Sequence, residues 1–458
     1  MNEHNAKLRI LFVGRAIGTF YIFETVFETL LSRGHTITAL RDPQWDNAHD
    51  AKAETVQALQ NQHDTFSIES IVQSAGLRRK ILFRTREIRS FRRYITQSGQ
   101  SAYYTDRYAH YLPKSIKRVS KNKIARALIA SPLTEVACAA IEKIIPADSH
   151  VMNHIKQLRP DVIIASPANM RFSEEIEYVK AGKKLNVKTV VPVLSWDNLT
   201  TKGLIQIKPD VLIAWNSIHA REAAQYHHIP EPSISITGAP VFDRWFENKT
   251  PSLDVHEFRT AHRLPQDAPL LLYLGSSVHI ARDEAWLVKL LRHALDASED
   301  NELRATHIIV RPHPGNSTPF AHLNVPGISV IPKQGSVPDS AEARQLFFDT
   351  AYHARATIGI NTSGMIDAIV LRKPGLSYVT SRYAATQLEA QHFNLLKQSN
   401  AISLVSTPES FIAAMKKILA GQDERASERK AFITSYIRPC GIETPAGAII
   451  ADTIENTV

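Results

Sequence analysis

The sequence predicts an α/β protein made of two doubly wound, parallel-sheet domains. Three features carry that expectation. Short apolar runs recur along most of the chain, stretches with helical periodicity separate them, and small or polar residues close nearly every run. With 458 residues, 44% apolar and 22% charged, the chain is long enough for two cores and ordinary in composition.

Residues 7–14 (KLRILFVG) read as a buried strand, followed by a loop over 15–18 and a helix from Thr19, the expected N-cap, to about Arg33. Gly34 ends that helix and 35–40 (HTITAL) is the next strand, completing a βαβ unit. Gly14 and Gly18 do not make the spaced-glycine dinucleotide fingerprint. The loop therefore either turns the chain or faces another kind of ligand.

From Arg78 to Arg126 fifteen Lys or Arg stand against only Glu87 and Asp106, a local charge of +13 in a chain of net +9. The basicity belongs to this insertion. Phe83, Phe91, Tyr94, Tyr104 and Tyr108 are interleaved with it. Such a segment fits an amphipathic surface on anionic lipid, a groove for a phosphorylated acceptor, nucleic acid, or a solvated face whose arginine stems lie along the protein. It carries no nucleic-acid-binding motif.

Strand and helix then alternate: 161–166 (DVIIAS), a helix over 174–185, 188–194 (KTVVPVL), 209–215 (PDVLIAW), a helix over 217–226, and 233–237 (SISIT) before Gly238. The 188–194 strand ends in Ser195-Trp196-Asp197-Asn198-Leu199-Thr200-Thr201-Lys202-Gly203. Asp197 is a candidate general base for an acceptor hydroxyl; Asp197 and Asn198 can equally do no more than cap a loop.

Residues 247–269 turn polar and are expected to link the domains. The division is then an N-terminal domain over 1–247, a C-terminal domain over 248–435, and a last helix within 436–458 packing back across the linker. In the second half, 269–274 (PLLLYL) ends in Gly275-Ser276-Ser277, and 307–310 (HIIV) ends in Arg311-Pro312-His313-Pro314. Residues 356–360 (ATIGI) end in Asn361-Thr362-Ser363-Gly364, with a helix over about 365–371. Hydroxyls, an arginine, a histidine and the N–H groups of a helix start thus gather at strand ends, a pattern suited to phosphate. Asp367, one turn further on, could accept from ribose hydroxyls. A capped helix and a satisfied loop histidine use the same residues singly; their convergence favours the anion.

Cys138 and Cys440 are too few for a disulfide framework, and no HxxxH or HxH pair among the 19 histidines recurs with a carboxylate partner, so no metal site is expected. The first residues do not read as a signal peptide and no run reaches eighteen apolar residues. A cytoplasmic protein is expected, with the 78–126 insertion available for peripheral contact with the anionic inner face of a membrane.

Residues 233–245 (SISITGAPVFDRW) and 358–377 (IGINTSGMIDAIVLRKPGLS) resemble the interdomain and nucleotide-binding motifs of GT-B glycosyltransferases and UDP-N-acetylglucosamine 2-epimerase. The resemblance implies two Rossmann-like domains facing a cleft, with a nucleotide sugar on the C-terminal one. Thr362, Ser363 and Gly364 would then hold phosphate and Asp367 the ribose. Arg311-Pro312-His313-Pro314 is similar to the His-Pro motif of bacterial sialyltransferases and polyol-phosphate transferases, whose histidine contacts the donor phosphate. Two departures stand out. The epimerase GTRPE-type loop is replaced by Gly14-Arg15-Ala16-Ile17-Gly18-Thr19 without its catalytic acids, and the sialyltransferase acidic motif is missing.

The expectation is therefore a metal-independent glycosyltransferase moving sugar from a nucleotide-sugar donor to a carbohydrate or lipid-linked acceptor, in surface polysaccharide or glycolipid biosynthesis. Its donor site would comprise Gly275, Ser276, Ser277, Arg311, His313, Asn361, Thr362, Ser363, Gly364 and Asp367, with Asp197 as base. No cofactor beyond the donor co-substrate and no nucleic-acid partner is implied. A CDP-polyol phosphotransferase and a non-catalytic nucleotide-sugar-binding protein are the alternatives.

Overall fold

Every residue of Ile10–Gly14 is buried, because a parallel strand covered by helices on both faces has no solvent side on which to alternate polar residues. That strand is the centre of the first of two units. The computed structural model describes residues 6–46, 53–247 and 250–458. Residues 1–5, part of the N-terminal signal-peptide reading, and Asn248 and Lys249 of the expected linker lie outside the described residues. One unit comprises Met1–Val241 and Tyr436–Val458, the other Phe242–Ser435.

In unit 1 the strands are β1 (Arg9–Gly14), β2 (Thr36–Arg41), β3 (Phe66–Ser70), β4 (Val162–Ser166), β5 (Lys188–Pro192), β6 (Val211–Ala214) and β7 (Ile234–Ile236). They form one parallel sheet ordered β3-β2-β1-β4-β5-β6-β7. Phe12 on β1 gathers Phe20, Phe23 and Phe27, with ring centroids 5.2, 5.3 and 4.9 Å away, and this aromatic cluster fixes the first helix on the sheet. The last helix, Ala446–Glu455, packs on the helix Glu24–Ser32. It buries Ile450, Ala451 and Ile454, while Glu455 binds Arg33 and His35. The contact is close enough that a Cβ on Gly447 would lie 2.3 Å from the Thr25 hydroxyl oxygen.

Unit 2 repeats the plan with β8 (Leu270–Leu274), β9 (His307–Arg311), β10 (Ile328–Val330), β11 (Ala356–Gly359), β12 (Gly375–Tyr378) and β13 (Ser403–Val405), all parallel and ordered β10-β9-β8-β11-β12-β13. Counted within each unit, both sheets run in the 3-2-1-4-5-6 order of the Rossmann fold, and the first adds a seventh strand beyond the sixth. Strand order therefore reverses between β1 and β4 in unit 1 and between β8 and β11 in unit 2, and ligands of such sheets bind beyond the strand ends at those points.

Three local expectations are corrected. Thr19 does not cap a helix: residues Ile17–Phe23 form a 3₁₀ helix in which its hydroxyl donates to the Ala16 carbonyl, and the α-helix begins at Glu24. The polar stretch after Glu247 contains a helix, Val255–Ala261, set by an Asp254/Glu257 capping box and anchored by buried Phe258. β3, β10 and β13 were absent from the expected strands. They are short sheet edges, only partly buried, so no continuous apolar run marks them.

Candidate functional site

The loops that follow β8, β9 and β11 leave three adjacent strands of unit 2 at their carboxyl ends, flanking the reversal point. Gly275 lets two of them touch: a Cβ there would lie 3.0 Å from the His313 amide nitrogen and 3.2 Å from the Arg311 carbonyl oxygen. Glu284, fully buried, fixes the β8 loop by accepting from the Ser276 N–H at 2.7 Å and the Tyr273 hydroxyl at 2.6 Å. Burial lifts its pKa to about 7.

Arg311 ends β9 almost entirely buried. Its Nη2 donates to the Ser336 hydroxyl and its guanidinium carbon sits 4.9 Å from the Phe347 ring centre. Its Nη1 is buried and has no partner among the described residues. Burial lowers its pKa to about 10, opposed by the charge of Asp367, so it stays cationic at neutral pH. Phe347 also packs against Trp245, with ring centroids 5.3 Å apart, and the Trp245 indole N–H donates to Asp367 Oδ1 at 2.7 Å. Asp367 is pushed up to about 6 by burial, with Trp245 and Arg311 pulling the other way.

His313 accepts from the Gly315 N–H through Nδ1 at 3.1 Å. A neutral ring accepting at Nδ1 carries its proton on Nε2, and burial with nearby His279 lowers its pKa. The imidazole thus offers a neutral N–H donor to a phosphate. At the end of β11 the helix is Gly364–Val370, seven residues long, so its dipole is small. The N–H groups of Thr362, Ser363 and Gly364 nevertheless have no acceptor among the described residues.

Two of the expected donor residues turn inward. Ser276 is fully buried, with its hydroxyl 3.4 Å from the Asn361 amide, and Asn361 donates through Nδ2 to the Thr386 carbonyl, at 2.8 Å. They hold the turns together. Ser277 and Thr362 are half-buried and Ser363 is exposed on the same rim. Sequence reasoning missed Glu284, Phe347, Ser336 and Gln387; Gln387 ties the ends of β11 and β12 through the Ile360 and Tyr378 carbonyls. None of the four has a local signature, since each reaches the site from a distant helix or loop.

In unit 1 Asp197 lies after β5, one strand beyond the reversal point. It accepts from Ser195 at 2.6 Å and Thr201 at 2.7 Å, and Lys202 lies 3.3 Å away. The basic insertion props this loop: within the helix Gly76–Thr96, Arg93 donates to the carbonyls of Leu199 and Lys202, and Tyr94 also to that of Lys202. Its other arginines are largely paired. Arg78 binds Asp148 and Glu177, Arg79 Glu174, Arg86 Glu142 and Glu177, and Arg89 Glu135. The +13 along the chain is thus partly neutralised by carboxylates that lie outside the segment, and Arg93 is buried rather than turned to solvent. At the reversal point itself Arg15 stacks on Trp45 at 3.7 Å and acts on buried Glu175, whose pKa burial raises to about 7.

Among the described residues no group of three His, Cys, Asp or Glu is placed to hold a metal ion, and no single helix is long and apolar enough to cross a membrane. No family model and no curated protein matches the sequence. Solved structures do match the fold. UDP-GlcNAc 2-epimerase from Methanocaldococcus jannaschii, in complex with UDP-GlcNAc and UDP, shares 12% identity over 98% of this chain and 100% of its own, with a TM-score of 0.54. S. aureus MnaA, solved with UDP, shares 10% over 98% of each chain with a TM-score of 0.55. A glycosyltransferase from Rickettsia africae shares 12% over 99% and 98%, with a TM-score of 0.52. The chain therefore shares the two-unit α/β fold of these structures.

Proposed function

We propose that this GT-B chain is a glycosyltransferase that holds a nucleotide sugar on the rim of unit 2. The observation that carries the reading is Arg311: a buried cation at the end of β9, beside the sheet reversal point, whose Nη1 is left without a partner among the described residues. A buried donor without an acceptor costs free energy that an anionic ligand would recover. The diphosphate would lie against the N–H groups of Thr362, Ser363 and Gly364 and the Nε2–H of His313, with Arg311 supplying charge. Asp367 Oδ2 would accept from a ribose hydroxyl while Trp245 holds Oδ1. As the bond from the anomeric carbon to the phosphate oxygen breaks, these donors meet the charge growing on the leaving nucleotide.

Transfer is favoured over epimerisation by the loop after β1, which lacks the acidic residues of the epimerase pattern. The acceptor oxygen would form the new bond to the anomeric carbon and give its proton to a carboxylate, for which Asp197 is proposed. A carbohydrate or lipid-linked precursor of surface polysaccharide or glycolipid is the proposed acceptor class.

The test is a thermal-shift screen of UDP, CDP, CMP, GDP and ADP on wild type and His313→Ala, followed by nucleotide release from the matching sugar nucleotide. A nucleotide at a hundred times its Kd stabilises by about 2.7 kcal/mol. One nucleotide raising the melting temperature, with the rise lost in His313→Ala and slow release of nucleotide, supports the reading. No shift from any of the five overturns it.

A further inference from the structure

The helix Pro132–Ile144 is built inside-out. Its inward face is charged: Glu135 pairs with Arg89 at 2.6 Å, and buried Glu142 with Arg86 and Lys180, both at 2.7 Å. Its outward face is apolar. Leu133, Val136 and Ile144 are 79%, 66% and 78% exposed, with exposed Ala137 and Ala140 between them, so positions three and four apart form one stripe in water. The preceding helix, Lys123–Ala130, adds Ile124 and Leu128 at 73% and 64%. Five of the eleven large hydrophobic side chains exposed in the described structure thus fall within 21 residues of chain, which is a patch rather than scatter.

The charge around this patch has one sign. No Asp or Glu occurs between Asp106 and Glu135, while Arg107, Lys114, Lys117, Arg118, Lys121, Lys123 and Arg126 do. Lys114, Arg118, Lys121, Lys123 and Arg126 are exposed. These cations, unlike those of the helix Gly76–Thr96, have no carboxylate partner among the described ion pairs.

We infer that the helices Lys123–Ala130 and Pro132–Ile144 seat on the surface of an anionic lipid bilayer, apolar stripe inward and the basic segment against the head groups. Their dimensions set the depth. At about 1.5 Å per residue each helix is shorter than the ~30 Å hydrocarbon core, so neither crosses it alone, and the 60° bend between them, with the inward face of the second held by ion pairs, suits two helices lying in the interface. A second copy of the chain is a poorer occupant. Two-fold pairing would place this basic segment beside itself, whereas lipid phosphates neutralise it. The inference does not rest on the proposed nucleotide site and holds whether or not that reading does.

Sedimentation with vesicles tests this, using phosphatidylcholine alone and phosphatidylcholine mixed with phosphatidylglycerol, at low and high salt. Wild type is compared with Leu133→Glu/Val136→Glu and with Lys121→Glu/Lys123→Glu/Arg126→Glu, alongside thermal unfolding and size-exclusion chromatography. Wild type is expected to sediment with the anionic vesicles only and to be released by salt. Each variant should bind roughly tenfold less or weaker still with an unchanged melting temperature. Should the first variant fail to fold, the second carries the same comparison. The inference is overturned if wild type ignores anionic vesicles, if it binds neutral ones equally, or if the variants bind as wild type does. It is also overturned if wild type is a dimer that the apolar variant splits and neither binds lipid.

Discussion

Glu284 gives the sharpest quantitative test of how unit 2 supports its rim. The carboxyl is fully buried, accepts from the Ser276 N–H and the Tyr273 hydroxyl, and has its pKa raised by burial from 4.5 to about 7. An acid whose folded pKa is raised is held protonated by the fold. Its contribution to stability is therefore complete below about pH 4.5 and disappears as pH climbs through 7. At about 1.4 kcal/mol per pH unit, that interval amounts to roughly 3 kcal/mol.

Glu284→Gln cannot ionise. Its amide oxygen can still accept from Ser276 and its NH₂ can donate to the Tyr273 oxygen, so near pH 5 the variant should match wild type or fall slightly below it. By pH 9 the balance should have moved toward the variant by roughly 3 kcal/mol, read as the difference between urea unfolding free energies of the two proteins. Taking the difference cancels Glu87, Glu175 and Glu222, which burial also shifts upward. A difference that stays flat from pH 5 to pH 9 refutes the argument.

Arg86→Ala should cost about 2–3 kcal/mol in thermal unfolding, because Glu142 and Glu177 would lose their shared counter-charge and keep only Lys180 and Arg78. Arg92→Ala removes one bond to the Ser131 carbonyl and should cost about 1 kcal/mol. Gly447→Val should cost about 1–3 kcal/mol and loosen the last helix, seen as faster amide exchange over 446–455, since its Cβ would meet Thr25 at 2.3 Å.

The sheets were legible because a parallel strand buried on both faces leaves a continuous aliphatic run, and β1, β4, β8 and β9 are such runs. β3 was not, since its FSIES sequence is half polar at an exposed edge. The rim of unit 2 was legible in outline: Gly275, Arg311, His313 and the 361–364 turn do leave adjacent strands. What the sequence could not give is direction. Ser276 and Asn361 have the right chemistry for phosphate, yet both side chains turn inward, because β8 and β11 are neighbours and the two loops need joining. The protonation pattern of His313 was also hidden, as it depends on a single N–H from Gly315.

The basic insertion shows why a charge count along the chain misleads in both directions. Fifteen cations looked like one electropositive face, but the chain separates them by folding. Arg78, Arg79, Arg86 and Arg89 need partners once their helix packs against its neighbouring helices, and unit 1 brings Glu135, Glu142, Asp148, Glu174 and Glu177 to them. Two of those carboxylates lie on the helix Pro132–Ile144, where residues 135 and 142 share a face because two helical turns separate them. Turning that face inward forces Leu133, Val136 and Ile144 outward. The same sequence pattern would ordinarily mark an amphipathic helix with its apolar stripe in the core, and only the demand of buried arginines for counter-charge reverses it. The ion pairs and the exposed apolar stripe are thus one feature. Neutralising Arg86 and Arg89 together with Glu135 and Glu142 would remove the reason for the helix's orientation, and its apolar face would then be free to turn toward the protein.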